Sequence, residues 1–323
     1  MAASIYSVTV SRATPFDKPP GGIRKREKAA ANANYYPPGG LTHRRKIEYN
    51  VTNLHFRLLD RRPRASARTA GCSREGKHME LIKHRVAHYW SHRAEAFEAQ
   101  RLCEFDSEKR ARWLAEFFRY LPQGRPLRVL DIGTGTGFFA CLFAAEGHEA
   151  TGIDLTPDMI EHAEHMAAVL GLDATFRIMD AENPDFEPES FDVLVTRNLT
   201  WTLPHVEKAY REWYRLLKPG GVLINFDADY SAALEDEQQG GKKHELPENH
   251  AHKLVPDDLM AENNAITMEI GAYHGPRPQW DVQLLIEAGF ERVTVDKGVY
   301  KRIYAEIDEF FNPTPIFTIA AFK

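Results

Sequence analysis

Followed residue by residue, the pattern of apolar and polar positions becomes regular near Met79. Leu81, Ile82, Val86, Tyr89 and Trp90 recur at helical spacing, as do Leu114, Phe117, Phe118 and Leu121, which predicts two helices over residues 80–121. Pro122-Gln123-Gly124 ends the second. The short apolar run from Leu127 to Ile132, bounded by glycines, suits a buried parallel strand, and a helix follows from about Thr136 to Gly147. The alternation then repeats. Strands are predicted at Ala150–Asp154, Ala174–Met179, Phe191–Thr196 and Val222–Phe226, with helices at Pro157–Leu170 and Pro204–Leu217. Strands separated by helices imply right-handed crossovers and a doubly wound α/β sheet with helices on both faces.

Residues 230–275 are polar and irregular and read as an insertion or lid. A helix (Trp280–Ala288), a strand (Arg292–Val295) and a last strand (Ile316–Phe322) close the domain.

Charge changes the picture of the first 78 residues. They hold 16 basic and 5 acidic residues, a net +11, while the remainder holds 25 and 41, a net −16. Halves of opposite sign read as separate units, with the boundary near Met79. Residues 1–78 carry two Pro-Pro-Gly-Gly stretches, basic clusters such as Arg24-Lys25-Arg26 and no sustained periodicity. This composition predicts a disordered basic extension. Its alternatives are an arm for RNA or anionic surfaces, a transit segment, or translation that starts at Met79. Residues 79–323 form the folded domain. No apolar run approaches the length of a membrane span, and Cys72, Cys103 and Cys141 offer neither a metal spacing nor a disulfide framework, so a cytoplasmic, metal-free protein is expected.

The chemistry concentrates at Val129-Leu130-Asp131-Ile132-Gly133-Thr134-Gly135-Thr136-Gly137. A glycine-rich turn between a buried strand and a helix lets a ligand approach the backbone, and the helix start presents free N–H groups. A dinucleotide-binding turn would place its third glycine where Phe138 stands, and Asp131 at the strand end would repel a pyrophosphate. An acid there suits a ligand carrying positive charge. Asp154, followed by Leu155 at the end of the next strand, stands 17 residues beyond Gly137, near the spacing at which a carboxylate reaches ribose hydroxyls. The alternative is an acid that supports the helix opened by Thr156-Pro157. Asp180-Ala181 follows the third strand, where a carboxylate and a neighbouring N–H suit an adenine edge. Asn198 and Trp201 follow the fourth strand, at the carboxyl edge where such folds bind ligands.

In these pieces, together with Phe191-Asp192-Val193 and Leu216-Leu217-Lys218-Pro219-Gly220-Gly221, the sequence resembles the class I S-adenosylmethionine-dependent methyltransferases. It is most similar to the small-molecule branch that includes the ubiquinone and menaquinone enzymes. The pieces occur in family order across about 245 residues. The resemblance implies a Rossmann-like seven-stranded sheet of order 3-2-1-4-5-7-6 with strand 7 antiparallel. It implies S-adenosylmethionine as cofactor, with Asp131, Gly133, Thr134, Gly135 and Gly137 about the methionine moiety, Asp154 and Leu155 at the ribose, and Asp180, Ala181 and Asn198 completing the site. The Tyr89-Trp90 helix resembles the family's leading helix, which makes Tyr89 a candidate acceptor contact, with core packing as the alternative; Trp201 and the 230–275 insertion are candidate acceptor contacts by position.

Methyl transfer from a sulfonium is an in-line displacement that mainly requires alignment in a dry site. A base is needed only for a protonated nucleophile. Tyr89, His205, Asp227 and His274 are candidates that spacing does not separate, so the catalytic residues stay open. No paired prolines follow Asn198 as in nucleic-acid amino methyltransferases, and a net −16 domain repels phosphate backbones. The expected acceptor is a small molecule bearing an O, N, S or C nucleophile. A non-catalytic S-adenosylmethionine-binding protein, an RNA methyltransferase using the basic arm and an NAD-dependent dehydrogenase are the alternatives. The oligomeric state stays open.

Overall fold

The computed structural model describes residues 5–9, 71–241, 246–248, 250, 253 and 255–323. Three helices lead: α1 (Gly71–Ser91), α2 (Ala94–Phe105) and α3 (Glu108–Phe117). Periodicity predicted two over this stretch. The break before α3 is made by Ser107, whose hydroxyl accepts from the Lys109 amide at 3.1 Å. The α/β alternation follows as β2 (Arg128–Ile132), α4 (Phe138–Ala145), β3 (Glu149–Asp154), α5 (Pro157–Leu170), β4 (Ala174–Ile178) and β5 (Phe191–Arg197). After a 3-10 turn over Thr200–Thr202 come α6 (Val206–Leu216) and β6 (Leu217–Asp227). Then come α7 (Tyr230–Gln238), α8 (Asp257–Gly271), α9 (Gln279–Ala288), β7 (Arg292–Asp296), α10 (Val299–Ile303) and β8 (Phe317–Phe322).

The sheet has eight strands rather than the expected seven, in the order β1-β7-β8-β6-β5-β2-β3-β4. Without β1 (Ile5–Thr9) this is the expected order, and β8 runs antiparallel to both β6 and β7. β1 pairs antiparallel with β7, Ile5 opposite Asp296 and Thr9 opposite Arg292. The expectation of a disordered extension over residues 1–78 is therefore corrected at two places. Residues 5–9 form a strand whose Tyr6 and Val8 pack on the core, and α1 begins at Gly71, ahead of Met79. A composition averaged over 78 residues conceals a five-residue alternating run. Residues 10–70 lie outside the described part of the chain.

The sheet is buried on both faces, as parallel sheets are. Val129, Val193, Val195 and Ile224 face Trp113, Phe117, Phe139 and Phe143 on one side. Leu130, Leu194, Leu223 and Ile319 face Tyr210, Trp213 and Leu285 on the other. α6 is the clearest amphipathic element: Val206, Ala209, Tyr210, Trp213 and Leu216 are its buried face. The segment expected to be irregular over 230–275 contains α7 and α8. Their signal is weak because α7 buries no residue and α8 buries only Ile266, Thr267 and Ile270. Ile266 and Ile270 meet Met79 and Ile82 of α1 in a small separate core, so α1 and α8 close together over the carboxyl edge of the sheet.

Candidate active site

A cavity of about 1220 Å³ opens at that edge. It brings together Asp131, Gly133, Thr134, Gly135, Asp154, Leu155, Asp180, Ala181 and Asn198, with Tyr89 and Trp201 across from them. Gly137 does not line it. This glycine starts α4 at φ 88°, and a Cβ there would lie 3.0 Å from Phe176 and 3.1 Å from Ala163, so its role is to let α4 approach its neighbours.

One wall is the turn after β2. Gly135, at φ 53°, has only Met159 Sδ within 4 Å of where a Cβ would stand, at 3.9 Å, so the backbone faces open space. Asp131 is buried, and its Oδ2 accepts from Thr134 Oγ1 at 2.6 Å and the Ala140 amide at 3.0 Å. Burial pushes its carboxyl up to about 7 against those two bonds. A cation beside it would reverse that shift. Asp154 Oδ2 accepts from the Gly135 amide at 3.0 Å and Oδ1 from the Thr156 amide at 2.9 Å. Each oxygen keeps a second lone pair, the arrangement a vicinal diol requires. Asp154 therefore also serves the start of α5, and both roles weighed from sequence coexist. These features fit a cationic nucleoside ligand: an open backbone turn, a buried acid close to neutrality and a fixed bidentate acceptor.

Asp180 is more engaged than its sequence position suggested. Oδ1 accepts from the Glu182 amide at 2.8 Å and Oδ2 from Lys83 Nζ of α1 at 2.8 Å. Lys83 also pairs with the buried Glu182 at 2.6 Å, and Glu182 accepts from the His205 amide at 2.9 Å. The leading helix is thus tied to the adenine end of the expected site.

The opposite wall is aromatic and gathered from distant segments: Tyr89, Trp90, Phe97, Trp201, Tyr230 and Tyr304. Asn198 adopts φ 54°, a left-handed conformation that asparagine tolerates. Its Oδ1 accepts from Tyr230 OH at 2.9 Å, and Asn312 Nδ2 donates to the same hydroxyl at 2.9 Å. Trp201 Nε1 donates to the Asn198 carbonyl at 2.9 Å, and its ring lies 5.0 Å from that of Tyr230.

Of the candidate bases, only Tyr89 lines the cavity, and burial raises its phenol. His205 occupies the N-cap position of α6 without a side-chain capping bond. His274 Nε2 donates to the Leu203 carbonyl at 2.9 Å, and burial pushes its pKa down to about 4. Asp227 is wholly buried in a network that sequence did not reveal. It accepts from Thr200 Oγ1 and the Trp201 amide, and meets Arg277 Nη1 at 3.3 Å. Arg277 in turn donates to Asp281 at 2.8 and 2.9 Å and to Thr200 Oγ1. Tyr210 OH donates to Asp281 at 2.7 Å. This network fixes the turn that carries Trp201. A second missed cluster is Arg101, Glu104 and Arg197, whose two arginines line the cavity while Glu104 is buried behind them. Its one sequence cue was an arginine at the exit of a buried strand.

A doubly wound sheet with this glycine turn and these two acids at its carboxyl edge has the framework of a Rossmann-like group-transfer domain. The comparison with known proteins is specific: residues 130–225 match the methyltransferase domain family. Among curated relatives, demethylmenaquinone methyltransferase of Thermus thermophilus is 33% identical over 38% of this chain and 56% of its own. Aklanonic acid methyltransferase DauC of Streptomyces sp. is 38% identical over 33% of this chain and 54% of its own. The uncharacterized methyltransferase YcgJ of Bacillus subtilis is 37% identical over 31% of this chain and 40% of its own. The chain therefore spans about half the length of the curated relatives it matches. Residues 130–225 are thus similar to methyltransferase domains, and the relatives include a menaquinone and a ubiquinone/menaquinone enzyme.

Proposed function

We propose that the chain is an S-adenosylmethionine-dependent methyltransferase acting on a small molecule. The observation that carries this reading is the pairing of walls in one cavity. A glycine turn with Asp131 and Asp154 suits a cationic nucleoside, and a separate aromatic wall leaves room for an acceptor. The matched domain and relatives whose names include a quinone and a polyketide acid as acceptors support it. When bound, S-adenosylmethionine supplies an electrophilic methyl group. Asp154 would hold its ribose, and Asp131 and the turn its charged end.

The chain's own contribution is alignment and exclusion of water. Tyr89, Trp201 and Tyr230 shape the acceptor side, and three of the four candidate bases lie off the cavity lining, so an acceptor that arrives as a ready nucleophile suits the site. No helix among the described residues is long and apolar enough to cross a membrane, and no group of three or more metal-binding side chains occurs among them. Displacement at a sulfonium requires no Lewis acid, so the reading we adopt is a metal-independent enzyme working in the cytoplasm.

The test is calorimetry on metal-stripped protein with S-adenosylmethionine, S-adenosylhomocysteine and NAD. Binding of the first two and not the third is expected, and the converse overturns the reading. Transfer of labelled methyl to a panel of small acceptors then distinguishes an enzyme from a non-catalytic binder.

A further inference from the structure

On the acceptor side of the cavity two half-buried guanidinium groups share one buried acid. Glu104 is fully buried and serves two guanidinium groups. Arg197 Nη1 lies 3.2 Å from Oε2 and Nη2 3.3 Å from Oε1, and Arg101 Nη1 donates to the same Oε2. Trp113 Nε1 donates to Oε1 at 2.8 Å, which fills the carboxylate's acceptor positions. Arg197 Nη2 also meets Tyr304 OH at 3.2 Å, while its Nε is buried with no acceptor.

Arg101 lines the cavity, lies over the rings of Phe97 at 5.2 Å and Phe138 at 5.9 Å, and meets no second carboxylate among the described residues. Burial and the neighbouring Arg197 both work against its charged form. A guanidinium nevertheless stays charged in proteins, so two cations on one buried acid leave a positive charge that a further anion would offset.

We infer that Arg101 anchors a carboxylate subsite for the methyl acceptor, which is a small organic acid with an apolar body. This rests on the methyltransferase reading and adds the acceptor's chemical class. The planar fork of arginine, held between two aromatic rings, favours a carboxylate met edge on. The contacts of Arg101 are Phe97, Glu104 and Phe138, with Arg197 reached through Glu104 and Tyr304 through Arg197. None is among the groups that face the ribose or adenine end. Trp90, Phe97, Trp201 and Tyr230 provide the surface for the body of the acid.

The full chain is first titrated with S-adenosylhomocysteine, then, saturated with it, with phenylacetate and with phenylacetamide, which differ in charge but little in shape. The acid is expected to bind about tenfold or more tightly than the amide. Arg101→Gln should abolish that preference, and Arg101→Lys should retain part of it. The glutamine variant leaves Glu104 and Arg197 as a one-to-one pair, so the fold should hold, and the comparison of acid with amide on the unaltered protein needs no variant.

Equal binding of acid and amide, or no binding of the acid at millimolar concentration, overturns the inference. So does a glutamine variant that weakens S-adenosylhomocysteine but not its decarboxylated analogue, since the guanidinium would then hold the cofactor's own carboxylate. Failure of the unaltered protein to bind S-adenosylhomocysteine would refute the methyltransferase reading itself, and it would show in the first titration, before any acid is added.

Discussion

The wall proposed for the cofactor is made from one stretch, residues 131–181, in which the glycine turn, Asp131, Asp154 and Asp180 sit at strand ends. The acceptor wall collects Tyr89, Phe97, Trp201, Tyr230 and Tyr304 from five separate segments. On the first wall the bonds that set Asp131 and Asp154 come from within the stretch, the amides of Gly135 and Thr156 for Asp154 and Thr134 and Ala140 for Asp131, and only Asp180 takes a remote partner, Lys83. On the second they are remote. Trp201 depends on Asp227 and Arg277, and Asn198 on Tyr230 and Asn312. A locally built wall suits a ligand that stays the same. A wall held by long-range pairs is where we place acceptor specificity in the proposed enzyme.

Arg277→Met should produce the largest effect and test the remote half of this contrast. It leaves Asp227 and Asp281 buried without their cation, and breaking such a pair costs about 3–5 kcal/mol. Urea unfolding should show that loss, while S-adenosylmethionine affinity measured under native conditions changes far less. A loss confined to cofactor affinity would place the network on the wrong wall.

Asp154→Ala tests the local half. It removes an acceptor for two ribose hydroxyls, each bond to a charged group being worth roughly 1.5–3 kcal/mol, so affinity should fall by about one to three powers of ten. The amides of Gly135 and Thr156 lose their acceptor too, which adds a stability loss of about 1 kcal/mol. Asp154→Asn should lie between. Calorimetry together with melting curves separates the two contributions, and unaltered affinity would remove Asp154 from the binding site.

A smaller, pH-dependent effect is expected at Asp131. Its folded carboxyl titrates near 7, above the ordinary aspartate value of about 3.9, so the folded state holds the extra proton between those limits. Stability of the ligand-free protein contributed by this group is therefore present at low pH and declines as pH rises through that window. A cationic ligand needs the ionised form, so cofactor affinity should increase with pH through about 7. Asp131→Asn should flatten both profiles. Parallel profiles in the variant and the parent would assign the titration elsewhere.

Tyr230→Phe should be the mildest. It deletes one hydroxyl that joins Asn198 to Asn312, a change of about 0.5–1.5 kcal/mol, with cofactor affinity nearly unchanged. Acceptor KM should rise once an acceptor is in hand. A weakened cofactor with normal acceptor kinetics would move Tyr230 to the other wall.

Sequence determined the parts of this protein whose signals are local. The strand and helix rhythm from Leu127 to Phe226 follows from side-chain period alone, and helix α5 falls on its expected bounds, Pro157–Leu170. The glycine turn, Asp131 and Asp154 were legible because turn chemistry and strand-end acids act over a few residues. Tertiary structure decided what depends on long-range partners. Residues 5–9 became a strand only because β7 offers an edge, and α8 became a helix over the site because α1 covers Ile266 and Ile270. Arg101, Glu104 and Arg197 are ordinary charges along the chain. Their significance appears only when folding brings two of them onto the third at the cavity wall, where charge is screened less than in bulk water.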